Sequence, residues 1–305
     1  MTRVLMLHRV MPDEPTAFGR PSCYRLRGTA LTPAEFSRLM DSGPLRSLEE
    51  VLEALETGEQ PPPGYVLTFD DGYREWIHHV APVLEARRAF ATFLVCPAFV
   101  QEKTAQPHPV DLFYWLLDHA RYPRFEFRLL DGTLASGTLE SDAGKAAIIT
   151  GDLKRRVANG LPGEPEETLR LLANALRVEP PAELVQSLYP TEAELRALAS
   201  AGHLLGGHGT SHRHLTKMDA PGAFAEISAS MSWIARLSGT HPVPFAYPDG
   251  AFDSETEQLV RAAGATCALT CIPGPVTREC GLFRMPREFI TPSHPWIART
   301  PESPP

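Results

Sequence analysis

The chain has 305 residues, 43% hydrophobic and 22% charged, an ordinary globular composition with length enough for a large core. Its formal net charge is -8 and its Lys and Arg are scattered, which argues against nucleic acid as a partner. No apolar run approaches the roughly 20 residues of a transmembrane helix. Met1-Thr2-Arg3 leads at once into Val4-Leu5-Met6-Leu7, too short for the apolar part of a signal peptide, so a cytoplasmic location is expected, although a chain stripped of its leader would read the same. The five cysteines, Cys23, Cys96, Cys267, Cys271 and Cys280, have irregular spacing and read as idle thiols of a reducing compartment.

Val4 to Leu7 reads as a buried strand, with His8 and Arg9 after it. Thr32 with Glu35, and Ser47 with Glu50, form capping boxes that start two helices. Tyr65 to Phe69 is the next strand and ends in Asp70-Asp71-Gly72. A helix carrying Ile77, Val80, Val83 and Leu84 follows, then a strand from Ala91 to Val95, which together make a parallel βαβ unit. From residue 104 to 190 the pattern changes: a helix at Leu112 to His119, a hairpin around Asp131-Gly132 and a helix from Glu166 to Leu176 predict an inserted, mainly helical subdomain. The alternation resumes at Thr191, whose box with Glu194 caps a helix ending at Gly202. Strands are expected at His203–Gly207, Val243–Tyr247, Thr266–Thr270 and within Leu282–Ile290, with helices opened by Asp219 and by Ser254 with Glu257. The fold class is therefore α/β, with a main domain formed by residues 1–103 and 191–290, an insertion at 104–190 and a loose, proline-rich tail at 291–305.

Polar residues gather where these strands end, the face that carries the active site in parallel barrels and doubly wound sheets. His8, Asp70-Asp71, His208 with His212, and Tyr247-Pro248 all fall there. Adjacent acids at the end of an apolar strand repel one another and are costly to bury, unless a metal takes one as ligand and leaves the other as a base. His208 and His212 are spaced to share one side of a turn, but Gly209 after the first excludes the zincin pattern, which needs Glu. Two histidines and one carboxylate also suit non-haem iron, although the usual His-x-Asp/Glu pair is missing and the extra carboxylate suits hydrolysis better.

Thr68-Phe69-Asp70-Asp71-Gly72, His208-x-x-x-His212 and Phe245-Ala246-Tyr247-Pro248-Asp249-Gly250 resemble three motifs of the polysaccharide deacetylases, the NodB-homology group or carbohydrate esterase family four. Leu7-His8-Arg9-Val10 resembles the opening of the permuted poly-N-acetylglucosamine deacetylases. The resemblance covers Val4 to Val100 and about Thr191 to Ile290. It implies a distorted, incomplete (β/α) barrel and a metal-dependent hydrolase that takes N-acetyl groups from an N-acetylated carbohydrate. It further implies that Asp71, His208 and His212 bind a divalent metal, most often zinc, that Asp70 is the base, that the Tyr247 backbone N–H beside Pro248 stabilises the oxyanion, and that His8 is the acid.

The chain departs from the family pattern in places. Gly209 stands where Ser or Thr is usual, with Thr210 as a shifted substitute. No arginine lies in the third motif, so Arg287 is the candidate to steady the base. The late Leu-x-His motif is missing, which leaves His214 as rival to His8 for the acid. His78, His79, His119 and His241 read as structural or solvated. Related hydrolases cut formamides and cyclic amides, so a small or lipid-linked amide is an alternative substrate, with residues 104–190 as a selecting lid. A non-catalytic carbohydrate-binding relative is the second alternative.

Overall fold

Seven short parallel strands, found among the residues that the computed structural model describes (1–100, 105–161, 163–239 and 243–298), form one curled sheet. They are β1 (Thr2–Leu7), β2 (Gly64–Phe69), β3 (Ala91–Val95), β4 (Leu204–Gly207), β5 (Phe245–Ala246), β6 (Ala268–Leu269) and β7 (Glu288–Phe289). Their spatial order is β6-β5-β4-β3-β2-β1-β7, and the two-residue strand Leu45–Arg46 pairs beside the start of β2. A parallel bridge from Leu269 to Met285 brings the approach to β7 back against β6. The result is a distorted, incomplete (β/α) barrel.

Alternation along the strands sorts side chains into two layers. Val4, Val66, Leu94, Ala246, Leu269 and Met285 meet in one cluster inside the curl, while Leu5, Leu67 and Phe93 pack outward under the helices. With both faces covered, Val4–Leu7 of β1 and Phe93–Val95 of β3 read as continuous apolar runs. The same period carries the inward row upward: Val4 and Met6 lead to His8, Val66 and Thr68 to Asp70, and Leu204 and Gly206 to His208. Site residues collect at one end because strands in register end together.

The outer layer includes α1 (Cys23–Arg27), α2 (Pro33–Met40), α3 (Leu48–Glu56), α4 (Ala81–Arg87), α9 (Glu192–Ser200), α10 (Ala220–Ser238) and α11 (Ser254–Ala262). Thr32, Ser47 and Thr191 make the expected capping boxes. The cap of α11 is Asp253 with Thr256, not Ser254 with Glu257, because the Asp253 carboxylate reaches the Thr256 N–H at 2.8 Å. The helix expected after the acid pair begins as a wide π turn over Trp76–Val80, since Pro82 has no N–H to continue an ordinary ladder. Strands β5, β6 and β7 are shorter than expected. Residue 104 and residues 299–305, at the edges of two expected segments, and His241 lie outside the described residues.

Between β3 and α9 the chain forms α5 (Pro109–Asp118), a hairpin of Arg124–Arg128 with Leu134–Thr138, α6 (Asp142–Thr150), α7 (Asp152–Asn159) and α8 (Glu164–Leu176). Buried polar groups tie this unit to the barrel. Lys145 of α6, fully buried, lies 2.6 Å from Asp118 and donates to Thr16 Oγ1 and Pro21 O, while Asp118 accepts the Cys23 N–H at 3.0 Å. Asp111 of α5 accepts three tyrosine hydroxyls: Tyr24 at 2.7 Å, Tyr73 at 3.0 Å, and Tyr189. The Arg9 guanidinium lies over the rings of Tyr24 and Tyr73, 4.0 and 4.7 Å from their centroids, and pairs with Glu75.

A buried ion pair that loses one partner leaves a charge without water or counter-charge. Lys145→Met should therefore cost about 3–5 kcal/mol in urea unfolding. Arg124→Met, which breaks the exposed pair with Glu140, should cost less than about 1 kcal/mol.

Candidate active site

Asp70 and Asp71 leave β2 in different directions. Asp70 continues the inward row, is 2% exposed, and its N–H donates to Leu7 O at 2.9 Å. Asp71 has φ 81° and Gly72 φ 86°, so two successive left-handed residues turn the chain away sharply. For Gly72 this is free; for Asp71 it is strain, of the kind that persists where a side chain must be aimed. His212 carries similar strain at φ 58°.

The strained residues meet. Asp71 Oδ1 lies 3.4 Å from both His208 Nε2 and His212 Nε2, and the three donor atoms all fall within 4.8 Å of one another. Neither contact has hydrogen-bond geometry, so Asp71 Oδ1 is a buried acceptor without a donor among the described residues. His208 Nδ1 donates to Ala246 O at 2.9 Å, which fixes the tautomer and leaves Nε2 bare toward the cluster. An orphaned carboxylate oxygen beside a bare imidazole nitrogen and a second imidazole fits a divalent metal such as zinc. The electrostatics agree. Burial would raise the Asp71 carboxyl, but His208 and His212 hold it well below the ordinary range. Burial pulls His212 down, toward the neutral form that a ligand needs. Burial also opposes charge on His208, yet Asp70 and Asp71 outweigh it and raise that group.

Asp70 has a different partner. Arg287, 1% exposed, places Nη1 2.7 Å from Oδ1 and Nη2 2.8 Å from Oδ2, a bidentate fork. The arginine is itself fixed, with Nε donating to Thr270 O at 2.9 Å and Nη1 to Thr68 Oγ1 at 3.2 Å. Burial would raise the Asp70 carboxyl, but the guanidinium keeps it below its ordinary value and ionised. Asp70 Oδ2 is 3.9 Å from His208 Nε2, so the ionised acid stands beside the donor triad without joining it.

His8 stands opposite Asp70, because Leu7 pairs with Phe69 in the β1–β2 register. Its carbonyl accepts the Trp76 indole N–H at 2.8 Å, its ring packs edge-on to Phe289 with centroids 5.6 Å apart, and its Nδ1 is buried without a partner among the described residues. His214 is instead engaged, with Nε2 2.9 Å from Asp249 Oδ2.

Two sequence expectations change. The Tyr247 N–H donates to Leu269 O at 3.2 Å as a rung between β5 and β6, so in this structure it is not a free oxyanion donor; the Tyr247 hydroxyl donates to Phe283 O. Thr210 does not replace the usual hydroxyl, since its Oγ1 donates to Glu226 O at 2.9 Å, away from the cluster. Gly209 has φ 73°, and a Cβ there would lie 3.3 Å from Pro248, so both backbone and neighbour favour glycine. Sequence reasoning missed Glu226 of α10. Its Oε1 accepts the Ser211 N–H at 2.6 Å and the Ser211 hydroxyl at 2.8 Å, pinning the loop between the two histidines. No local signal in α10 marks it.

Comparison with known proteins agrees with this architecture. Residues 165–268 match a family model described as polysaccharide deacetylase. No curated protein matches the chain by sequence. Among solved structures, the fold is similar to the Streptococcus pyogenes deacetylase PplD in complex with acetate, at TM-score 0.61 and 15% identity, covering 96% of this chain and 93% of that one. It is similar to IcaB from Ammonifex degensii, at TM-score 0.59 and 14% identity, with 95% and 92% covered. The BpsB deacetylase domain from Bordetella bronchiseptica aligns at TM-score 0.54 and 17% identity, with 95% of each chain covered. The partial family match and the shared fold agree with the resemblance of this chain's motifs to those of the polysaccharide deacetylases.

Metal titration by calorimetry checks the donor set. Asp71→Asn and His212→Ala should each weaken zinc binding by about two orders of magnitude or more. Glu226→Ala, which only releases the loop, should weaken it about 10–100-fold.

Proposed function

We propose that the protein is a metal-dependent hydrolase that removes the N-acetyl group from an N-acetylated carbohydrate, releasing acetate and a free amine. The observation that carries this reading is the division of labour at the end of β2: Asp71 faces two imidazoles in a set that could hold a metal ion, while Asp70 is held ionised beside it by Arg287. Asp71, His208 and His212 would hold the ion, with zinc the choice that two imidazoles and a carboxylate favour. A bound divalent metal supplies a Lewis acid for the amide carbonyl and makes water acidic enough to attack at neutral pH.

The chain's own groups do the rest. Asp70 takes the proton of the attacking water. The Arg287 fork occupies one lone pair on each Asp70 oxygen, so each keeps another for that proton. Because Arg287 and Thr270 fix the carboxylate, it need not reorganise as the bond forms. His8 delivers a proton to the departing nitrogen, for which its unpartnered Nδ1 and its place opposite Asp70 suit it. The His214 and Asp249 pair is the alternative acid, since a carboxylate orients that imidazole.

Acetate release from chitooligosaccharides by zinc-loaded protein tests the reading. Asp70→Asn should keep the metal and lose turnover by about 100-fold or more, whereas His212→Ala should lose both. Full activity in Asp70→Asn would sink the assignment. His8→Ala should depress turnover more than His214→Ala; the reverse order would transfer the acid role.

A further inference from the structure

Beside the donor triad lies a cavity of about 1230 Å³ that shares His212 with it. Its volume exceeds the few hundred to 1,000 Å³ typical of a small-ligand site, so it extends well past one acetylated sugar. The loop from Ser211 to Met218 forms one side. Helices α5, α7 and α8 of the insertion form the other: Leu112, Ala173 and the exposed Leu161 present carbon to it, with Leu116, Val157 and Leu169 buried behind, and Asn159, Glu166 and Arg170 also line it. The character of that wall decides what fits. Against its carbon, sugar hydroxyls would lose water without gaining a partner, and accessible carbon along a cavity wall is surface that an apolar ligand would cover. At the rim stand Arg213 and Lys217, both exposed; neither has a carboxylate partner among the described residues, although Lys217 donates to Asn159.

We propose that this cavity is an alkyl-chain subsite: the substrate carries a hydrocarbon chain that lies along the insertion, with an acidic group met by Arg213 and Lys217. This deepens the hydrolase reading and rests on it for the position of the scissile amide. The insertion thereby sets substrate class, while the barrel supplies the chemistry. The chain belongs either to the acyl side of the amide or to the sugar's aglycone.

Two series of soluble substrates separate these sources. In one, the acyl group of an N-acylglucosamine grows from acetyl to octanoyl. In the other, N-acetylglucosamine carries β-alkyl aglycones from methyl to octyl. Amine release and, with Asp70→Asn protein, calorimetric binding are read on both. In the responding series kcat/KM should rise about threefold or more per added methylene. A response to acyl length places the chain on the acid product, and a response to aglycone length places it on the amine product. Ala173→Trp, which fills the cavity, and Leu161→Glu, an exposed lining position, should each flatten that dependence. Octyl phosphate should compete better than octyl glucoside, and Arg213→Gln with Lys217→Gln should erase the difference. Flat dependence in both series, with chitooligosaccharides still cleaved, overturns the subsite and leaves the hydrolase reading standing. Chain-length-dependent binding without any amide cleavage does the opposite.

Discussion

The fork between Arg287 and Asp70 is the constraint on which the rest of the site depends. A buried guanidinium and a buried carboxylate are each costly to remove from water, and only near-ideal bidentate geometry offsets that cost. The geometry requires β2 and the segment entering β7, far apart in sequence, to be closed on one another across the top of the barrel. Thr270, at the end of β6, supplies the carbonyl that fixes the arginine. One interaction thus joins three parts of the sheet, keeps Asp70 ionised and leaves Asp71 free to turn the other way.

The divergence of the two acids is a backbone effect. Asp70 keeps the strand's inward direction and meets arginine; Asp71 takes a left-handed conformation and meets imidazole. On the opposite side, His212 is left-handed too, and Glu226 holds the intervening loop from α10. Conformations that cost energy locally persist because surrounding contacts over-determine them. Here those contacts bring two imidazole nitrogens together around a carboxylate oxygen that has no protein hydrogen-bond donor among the described residues.

The insertion is joined to this machinery rather than appended to it. Asp111 of α5 gathers hydroxyls from Tyr24, Tyr73 and Tyr189. Tyr73 directly follows the Asp-Asp-Gly turn, and the Tyr189 hydroxyl accepts the N–H of His108, whose ring packs edge-on to His212 with centroids 5.2 Å apart. A displacement of α5 is therefore felt on both sides of the donor cluster. A charged, hydrogen-bonded hub of this kind is satisfied in one arrangement and costly in others, which suits a wall that must hold a cavity open.

Local chemistry was legible in the chain. Apolar runs marked β1 to β3, because strands covered on both faces need no polar positions, and Thr32, Ser47 and Thr191 announced their helices through partners three residues away. The order of His8, Asp70-Asp71, His208 and His212 at strand ends also indicated a site, since parallel strands in register end together. What the tertiary structure alone decided concerns partners distant in sequence. Arg287, only a candidate from the motif comparison, found Asp70 across 217 positions, and Asp111 collected tyrosines from three segments. Glu226 pinned a loop it does not adjoin, and the Tyr247 N–H was taken by a neighbouring strand. Hydrogen bonds and ion pairs act over about 3 Å of space, and spacing along the chain shows which groups could meet only where a single helix, turn or strand end already brings them together.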